Sequence, residues 1–170
     1  MKNLPASFRD PSGHLFRLDG ELYRSVQPSY AANYEQLMSS GLYESLTDKL
    51  LMVRHDEVEL DVNAYKTLKP ELIPYISYPY EWSFSQLKDA ALLTLQVNKE
   101  AMKFGMNLKD ASAYNVQFFR GKPVFIDTLS FERYVDGSPW IAYKQFCQHF
   151  LAPIALTTHR DFRLTHLLKA

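Results

Sequence analysis

The stretch LKDASAYNVQFFRGKPVFIDTLSF runs from Leu108 to Phe131. It carries Asp110, Asn115 and Asp127 around two short apolar runs, NVQFF and PVFID. Gly121 stands between the runs, where a tight turn demands positive φ. The spacing predicts a two-stranded hairpin joined at RGK, with a polar loop before it and an aspartate at its end. The bland use of these polar residues is local: Asp110 caps a turn, Asn115 satisfies loop backbone, Asp127 closes a strand. The chemical use is phosphoryl transfer, which needs a carboxylate to orient the acceptor hydroxyl and two oxygen ligands to hold magnesium against nucleotide phosphates.

Upstream lies the clearest helix, SFSQLKDAALLTLQVNKEAMKFG, from Ser83 to Gly105. Ser83 with Gln86 reads as a capping box, and Gly105 as a left-handed stop. Leu87, Ala90, Ala91, Leu95, Ala101 and Met102 form one stripe, and Leu92, Leu93 and Val97 widen it, so burial on most sides is expected. The residues before it, KTLKPELIPYISYPYEW, hold Pro70, Pro74 and Pro79 and exclude a helix. They read as an extended connector. Tyr75, Tyr78, Tyr80 and Trp82 on it suit a packed interior or a stacking surface.

Nearer the start, Asp19-Gly20 between apolar runs predicts another hairpin. A helix comes next, with Ser29 as its N-cap and Gly41 as an interruption. LMVRHDEVEL reads as an irregular strand. After the central hairpin, a helix is expected from about Trp140 to Phe150, with Pro153 as punctuation, and DFRLTHLLKA is a last helical pattern. That pattern is still apolar at the final residue, which suggests a piece of a longer polypeptide. The domains expected are 1–81, a small lobe with connector, and 82–170, a helical lobe.

Apolar residues make up 46% of the 170, enough for a sizeable core. Lys plus Arg equals Asp plus Glu, 19 each, so no basic excess marks a nucleic-acid surface. The lone Cys147 excludes an internal disulfide and reads as a core thiol. No Cys/His set has zinc spacing. No apolar run would span a bilayer and no signal-peptide stretch leads the chain, so a cytoplasmic protein is expected. His159 and His166 read as surface histidines.

The order Asp110, four residues, Asn115, hairpin, Asp127, after a long buried helix, resembles the carboxy-terminal lobe of the aminoglycoside phosphotransferase and protein kinase-like superfamily. The resemblance implies an α+β, kinase-like fold. It also implies Asp110 as the catalytic aspartate, Asn115 and Asp127 as magnesium ligands, and ATP with a small-molecule or sugar acceptor. The ATP-contacting strand residue would be Arg24, in place of the usual Lys, with Glu35 as its helix partner; read from the residues alone, Arg24 is an ordinary exposed strand residue. Leu108 stands where the family has His, Thr128 comes after Asp127 with no D-F-G glycine, and DPSG is no G-x-G-x-x-G loop. A second resemblance covers nearly the whole chain: LPASFRDPSG, YPYEWSFSQLKDAALLTL, LKDASAYN, FIDTLSFE and YKQFCQHFLAPIAL are similar to the amino-terminal region of bacterial class I S-adenosylmethionine-dependent methyltransferase or nodulation-protein-like chains. It implies an accessory module of a methyltransferase polypeptide, or a scaffold positioning that downstream domain. The six glycines stand too far apart to form a cofactor cradle, so S-adenosylmethionine is expected only in the downstream domain.

Overall fold

Asp19 and Gly20 take φ of 52° and 85°, the two positive values that a type I′ turn requires. They join β2 (Leu15–Leu18) to β3 (Glu21–Val26). The computed structural model of the chain describes residues 2–3, 10–60 and 63–169. Leu4–Arg9 of the LPASFRDPSG stretch and the final Ala170 lie outside the described residues. With β1 (Lys2–Asn3), β4 (His55–Val58) and β5 (Lys66–Pro70), the hairpin builds an antiparallel sheet in the order β1-β2-β3-β5-β4.

β5 is a departure from the expected connector, because KTLKP sits inside the sheet between β3 and β4. Thr67 and Leu68 are buried there, and Pro70 stands last, where a missing N–H disturbs the ladder least. Only the residues past Pro70 leave the sheet. Tyr75 and Tyr78 are exposed, while Trp82 is buried, so the aromatic connector is divided between surface and interior.

Two helices, α1 (Ala31–Ser39) and α2 (Leu42–Asp48), come after β3 and are separated by Gly41 at φ 85°. Ser29 does not cap α1. A 3-10 turn, Pro28–Tyr30, leads into the helix, and the Ser29 hydroxyl instead donates to the Pro11 carbonyl at 3.1 Å.

The long helix is α3 (Phe84–Met102), with both halves of the capping box formed at Ser83 and Gln86 and Gly105 left-handed at φ 69°. Its buried side is narrower than expected. Leu87, Ala90, Ala91, Leu93, Val97 and Ala101 are buried, but Leu92, Leu95 and Met102 face out.

β6 (Met106–Leu108) pairs with β9 (Phe131–Arg133), and β7 (Val116–Phe119) with β8 (Lys122–Phe125). Arg120 and Gly121 turn the second pair at φ 51° and 76°. The closing helices are α4 (Tyr143–Phe146), a π-helical turn Cys147–Leu151, α5 (Ala152–His159) and a 3-10 segment Phe162–Lys169. Pro153 does not end this run. It enters at the first turn of α5, just after the π turn has displaced the regular hydrogen bonds. Cys147 is half-buried, which corrects its reading as a core thiol.

The result is a mixed α+β fold, a small antiparallel sheet and then a helical part, in the element order of the kinase-like expectation. The largest core joins Leu37, Leu42 and Leu46 of the first helices to α3, Phe125, Phe131 and Phe150. A smaller one under the sheet holds Val26, Tyr30, Tyr34 and Leu68 together with Leu129 from the central region. Glu100 on α3 ties α2 down through Lys49 at 2.6 Å and also meets Lys103 at 2.7 Å. Hydrogen bonds from these lysines, with Lys103 the larger influence, hold its carboxyl pKa at about 2.

His55 is buried at the end of the sheet, with its ring nitrogens near Tyr34 Oη (3.3 Å) and Thr128 Oγ1 (3.4 Å). Burial pushes its pKa down to about 4 from 6.5. The unfolded chain therefore takes up this proton more readily, so the stability is fully present above about pH 6.5 and is lost as pH falls from there to about 4. The unfolding free energy from denaturant titrations should decline by roughly 3 kcal/mol across that window from this residue. In His55→Gln the profile should be flatter, though lower throughout; an unchanged slope would count against a neutral buried His55.

Candidate functional site at the Arg24–Asp127 contact

β3 is held on both sides, with Arg24 registered against Leu15 of β2 and Leu68 of β5. This fixes the backbone from which Arg24 extends. Its Nη2 lies 2.9 Å from Oδ1 of Asp127 and 2.6 Å from Oδ2 of Asp10. The side chain is only 13% exposed, so the pair is far better shielded than a surface ion pair. The expected partner, Glu35, is not in this contact. Glu35 is exposed on α1 and accepts a hydrogen bond from Tyr65. Tyr34 and Leu37, at helical spacing, take the buried face of α1, which leaves Glu35 outside.

Asp127 ends the segment after β8 and caps the 3-10 turn Thr128–Ser130. Its Oδ1 also accepts from the Leu129 N–H at 3.4 Å, and its Oδ2 from the Ser130 hydroxyl at 2.5 Å. Ser130 is fully buried and receives the Asn115 Nδ2 amide at 3.0 Å. A hydroxyl thus bridges Asn115 and Asp127 across the base of the hairpin. The backbone closes the same gap, with Ile126 N–H on the Asn115 carbonyl at 2.8 Å.

Asp110 is half-buried, and its Oδ1 accepts from the Ser112 N–H at 2.9 Å. The loop it belongs to is held from two directions. On the hairpin side, Lys109 N–H donates to the Ser130 carbonyl at 2.8 Å. On the helical side, Ala111 N–H donates to Gln145 Oε1 at 2.7 Å and Ala113 N–H to His149 Nδ1 at 3.3 Å. An N–H donor at Nδ1 requires an unprotonated acceptor there, so the neutral ring carries its proton on Nε2. Burial lowers the His149 pKa and the nearby Asp110 charge opposes that shift.

Two more groups close the site. Lys109 Nζ reaches Ser12 Oγ at 2.5 Å and lies over the Tyr30 ring, 4.6 Å from its centroid. Tyr30 is buried, donates to the Phe131 carbonyl at 2.6 Å, and has its pKa raised by burial first and by the Asp127 charge next. Sequence reasoning missed Asp10, Lys109, Gln145 and His149. Only the last two left a signal, since a four-residue helical spacing puts them on one face.

No family model matches the chain. It is similar to the nodulation protein NoeA of Rhizobium meliloti (strain 1021), with 39% identity over 166 residues, 94% of this chain and 34% of that protein. The chain therefore spans about a third of the length of the curated relative it matches. Among solved structures, vaccinia related kinase 3 aligns over 79% of this chain and 48% of its own, with a TM-score of 0.45 and 12% identity. No helix among the described residues is long and apolar enough to cross a membrane.

The two helix-borne acceptors make a test of the loop's support. Ala111 is fully buried, so removing Gln145 Oε1 strands a backbone donor at a cost of about 1–3 kcal/mol. In Gln145→Ala the Ala111 amide should exchange hydrogen faster, and in His149→Phe the Ala113 amide should do so. Amides of the β2–β3 hairpin should be unchanged in both. Uniform acceleration across the chain would mean that these residues serve global stability only.

Proposed function

We propose that the chain is a kinase-like accessory domain of a longer, NoeA-like polypeptide, and that it binds a nucleotide with magnesium beside a small-molecule or sugar acceptor. The observation that carries this reading is the Arg24–Asp127 contact. A cation on the third strand and the aspartate after the hairpin come together at one place, as the phosphate-contacting cation and the metal-binding aspartate of a kinase-type site would sit around one ligand. Arg24 would bind phosphate oxygens, a task for which a guanidinium fork is suited.

The donor set fits magnesium in one arrangement. Asp127 and Asn115 are neighbours across Ser130 and offer hard oxygens, but the Asp127 carboxylate is engaged by Arg24, Leu129 and Ser130. Among the described residues no three His, Cys, Asp or Glu side chains gather as a metal cage. A magnesium ion held by one carboxylate, one amide oxygen and the ligand's own phosphates needs no such cage. Asp127 and Asn115 would hold such an ion, which would supply charge neutralisation for the phosphates; Arg24 would bind phosphate oxygens and Asp110 would orient the acceptor hydroxyl through its carboxylate. Glu35 has no place in it.

The second reading is a non-catalytic scaffold that positions a downstream methyltransferase domain. The saturation of Asp127 by protein donors favours it. In either reading, S-adenosylmethionine belongs to a further domain, not to this chain, whose glycines are too dispersed to cradle it.

Thermal unfolding separates the two. A ligand that binds only the folded chain at ten times its Kd adds about 1.4 kcal/mol, or roughly 3–6 °C at this size. Magnesium-ATP at millimolar concentration should raise Tm by that order, and Asp127→Ala should lose the shift while remaining folded. S-adenosylmethionine should leave Tm unchanged. No shift in the wild type, or an equal shift in the variant, would favour the scaffold.

A further inference from the structure

Resting on that reading of the cleft, the geometry points to Asp10 as a tethered stand-in for the ligand's anionic group: its carboxylate occupies the anion-accepting face of Arg24, and a ligand phosphate enters by displacing it. Asp10 makes two contacts that an incoming phosphate would make. Oδ2 takes Nη2 of Arg24 at 2.6 Å, and Oδ1 takes the backbone N–H of Ser12 at 2.9 Å. A guanidinium and a backbone N–H converging on two oxygens form the donor pattern that recognises phosphate.

Arg24 does not need Asp10 for neutrality, since Asp127 already balances it. Two carboxylates on one nitrogen repel each other, and one of them is surplus to the pair. Asp10 is the looser of the two. It is 28% exposed against 17% for Asp127, and among the described residues no hydroxyl fixes it as Ser130 fixes Asp127. Arg24 Nε is buried and makes no hydrogen bond among the described residues, so the fork is only partly used. A phosphate, with three oxygens, can engage both edges of it.

The rest of the turn is built to stay while Asp10 moves. Ser12 O accepts from Gln27 N–H at 2.8 Å, and His14 O from Ser25 N–H at 2.9 Å. Gly13 is pressed against β3 so closely that a Cβ would fall 1.9 Å from the Ser25 carbonyl and 2.7 Å from Leu129 Cδ1. Rotation of Asp10 alone would leave the Ser12 N–H, Arg24 and the adjacent Lys109 ammonium facing one anion. The ligand class is thus a polyphosphate or a phosphate-bearing small molecule.

Calorimetry on the wild type and Asp10→Asn tests this with two probes, magnesium-free tripolyphosphate and magnesium-ATP. Asp10→Asn should bind tripolyphosphate at least about tenfold more tightly, about 1.4 kcal/mol, and Arg24→Met in that background should abolish the gain. Tighter tripolyphosphate binding without any magnesium-ATP binding would uphold Asp10 as the competitor and sink the nucleotide reading. Equal or weaker binding of both probes by Asp10→Asn would overturn the competitor role and leave the nucleotide reading standing. Absence of binding to either probe in both proteins would overturn both. Circular dichroism of each variant shows whether it is folded, and the Arg24→Met loss is read only against a folded protein.

Discussion

One guanidinium sets the geometry of this molecule's centre. Arg24 comes from the middle of the sheet, and Asp127 comes from the far end of the β7–β8 hairpin, 103 positions later in the chain. Their contact ties two regions, the sheet and the central hairpin, that also share apolar packing. Leu129, two residues beyond Asp127, packs into the small cluster under the sheet, so the charge pair and an apolar anchor act on the same short turn. Burial strengthens the pair electrostatically but makes the loss of either partner expensive, because the survivor would be left desolvated. The second carboxylate, Asp10, relieves that constraint on Arg24 and gives the cleft a way to exchange partners.

The loop bearing Asp110 depends on the same centre. Ser130 links Asp127 to Asn115 by its hydroxyl and supports Lys109 by its carbonyl. The opposite wall is supplied by Gln145 and His149, on either side of the junction between α4 and the π turn. A π turn widens the helix locally and shifts the phase of the next helical turns. The loop is therefore fixed by side-chain acceptors from one side and by a serine relay from the other, leaving the Asp110 Oδ2 and the Asn115 side-chain oxygen without protein partners among the described residues.

Local chemistry made much of this legible in the sequence. Asp19-Gly20, Gly121 and the Ser83–Gln86 box each encode a turn or cap within a few residues, and each forms. The spacing of Asp110, Asn115 and Asp127 around a hairpin located the loop, and ELYRSV placed Arg24 on a strand, but as an exposed residue, not as one shielded between two carboxylates. The failures depended on phase or distance. Glu35 was chosen by position on a helix whose apolar stripe turns Tyr34 and Leu37 inward instead. Leu92, Leu95 and Met102 extend an apolar pattern that the surrounding helices do not cover. Asp10 and Lys109 acquire their roles only through contacts with Arg24 and Ser12 across the fold, which no periodicity encodes.

A double-mutant cycle on Arg24→Met and Asp127→Asn, run in an Asp10→Asn background so that no other carboxylate takes over the guanidinium, measures the central contact directly. Asparagine keeps an oxygen for the Leu129 N–H but turns a donor amide toward the Ser130 hydroxyl; that change is common to both arms of the cycle and cancels, so the coupling reports the charge pair. Denaturant unfolding should give a coupling of roughly 1–3 kcal/mol, as expected for partly buried groups in contact. Strictly additive effects, with coupling below about 0.3 kcal/mol, would show that Arg24 and Asp127 do not hold the two regions together.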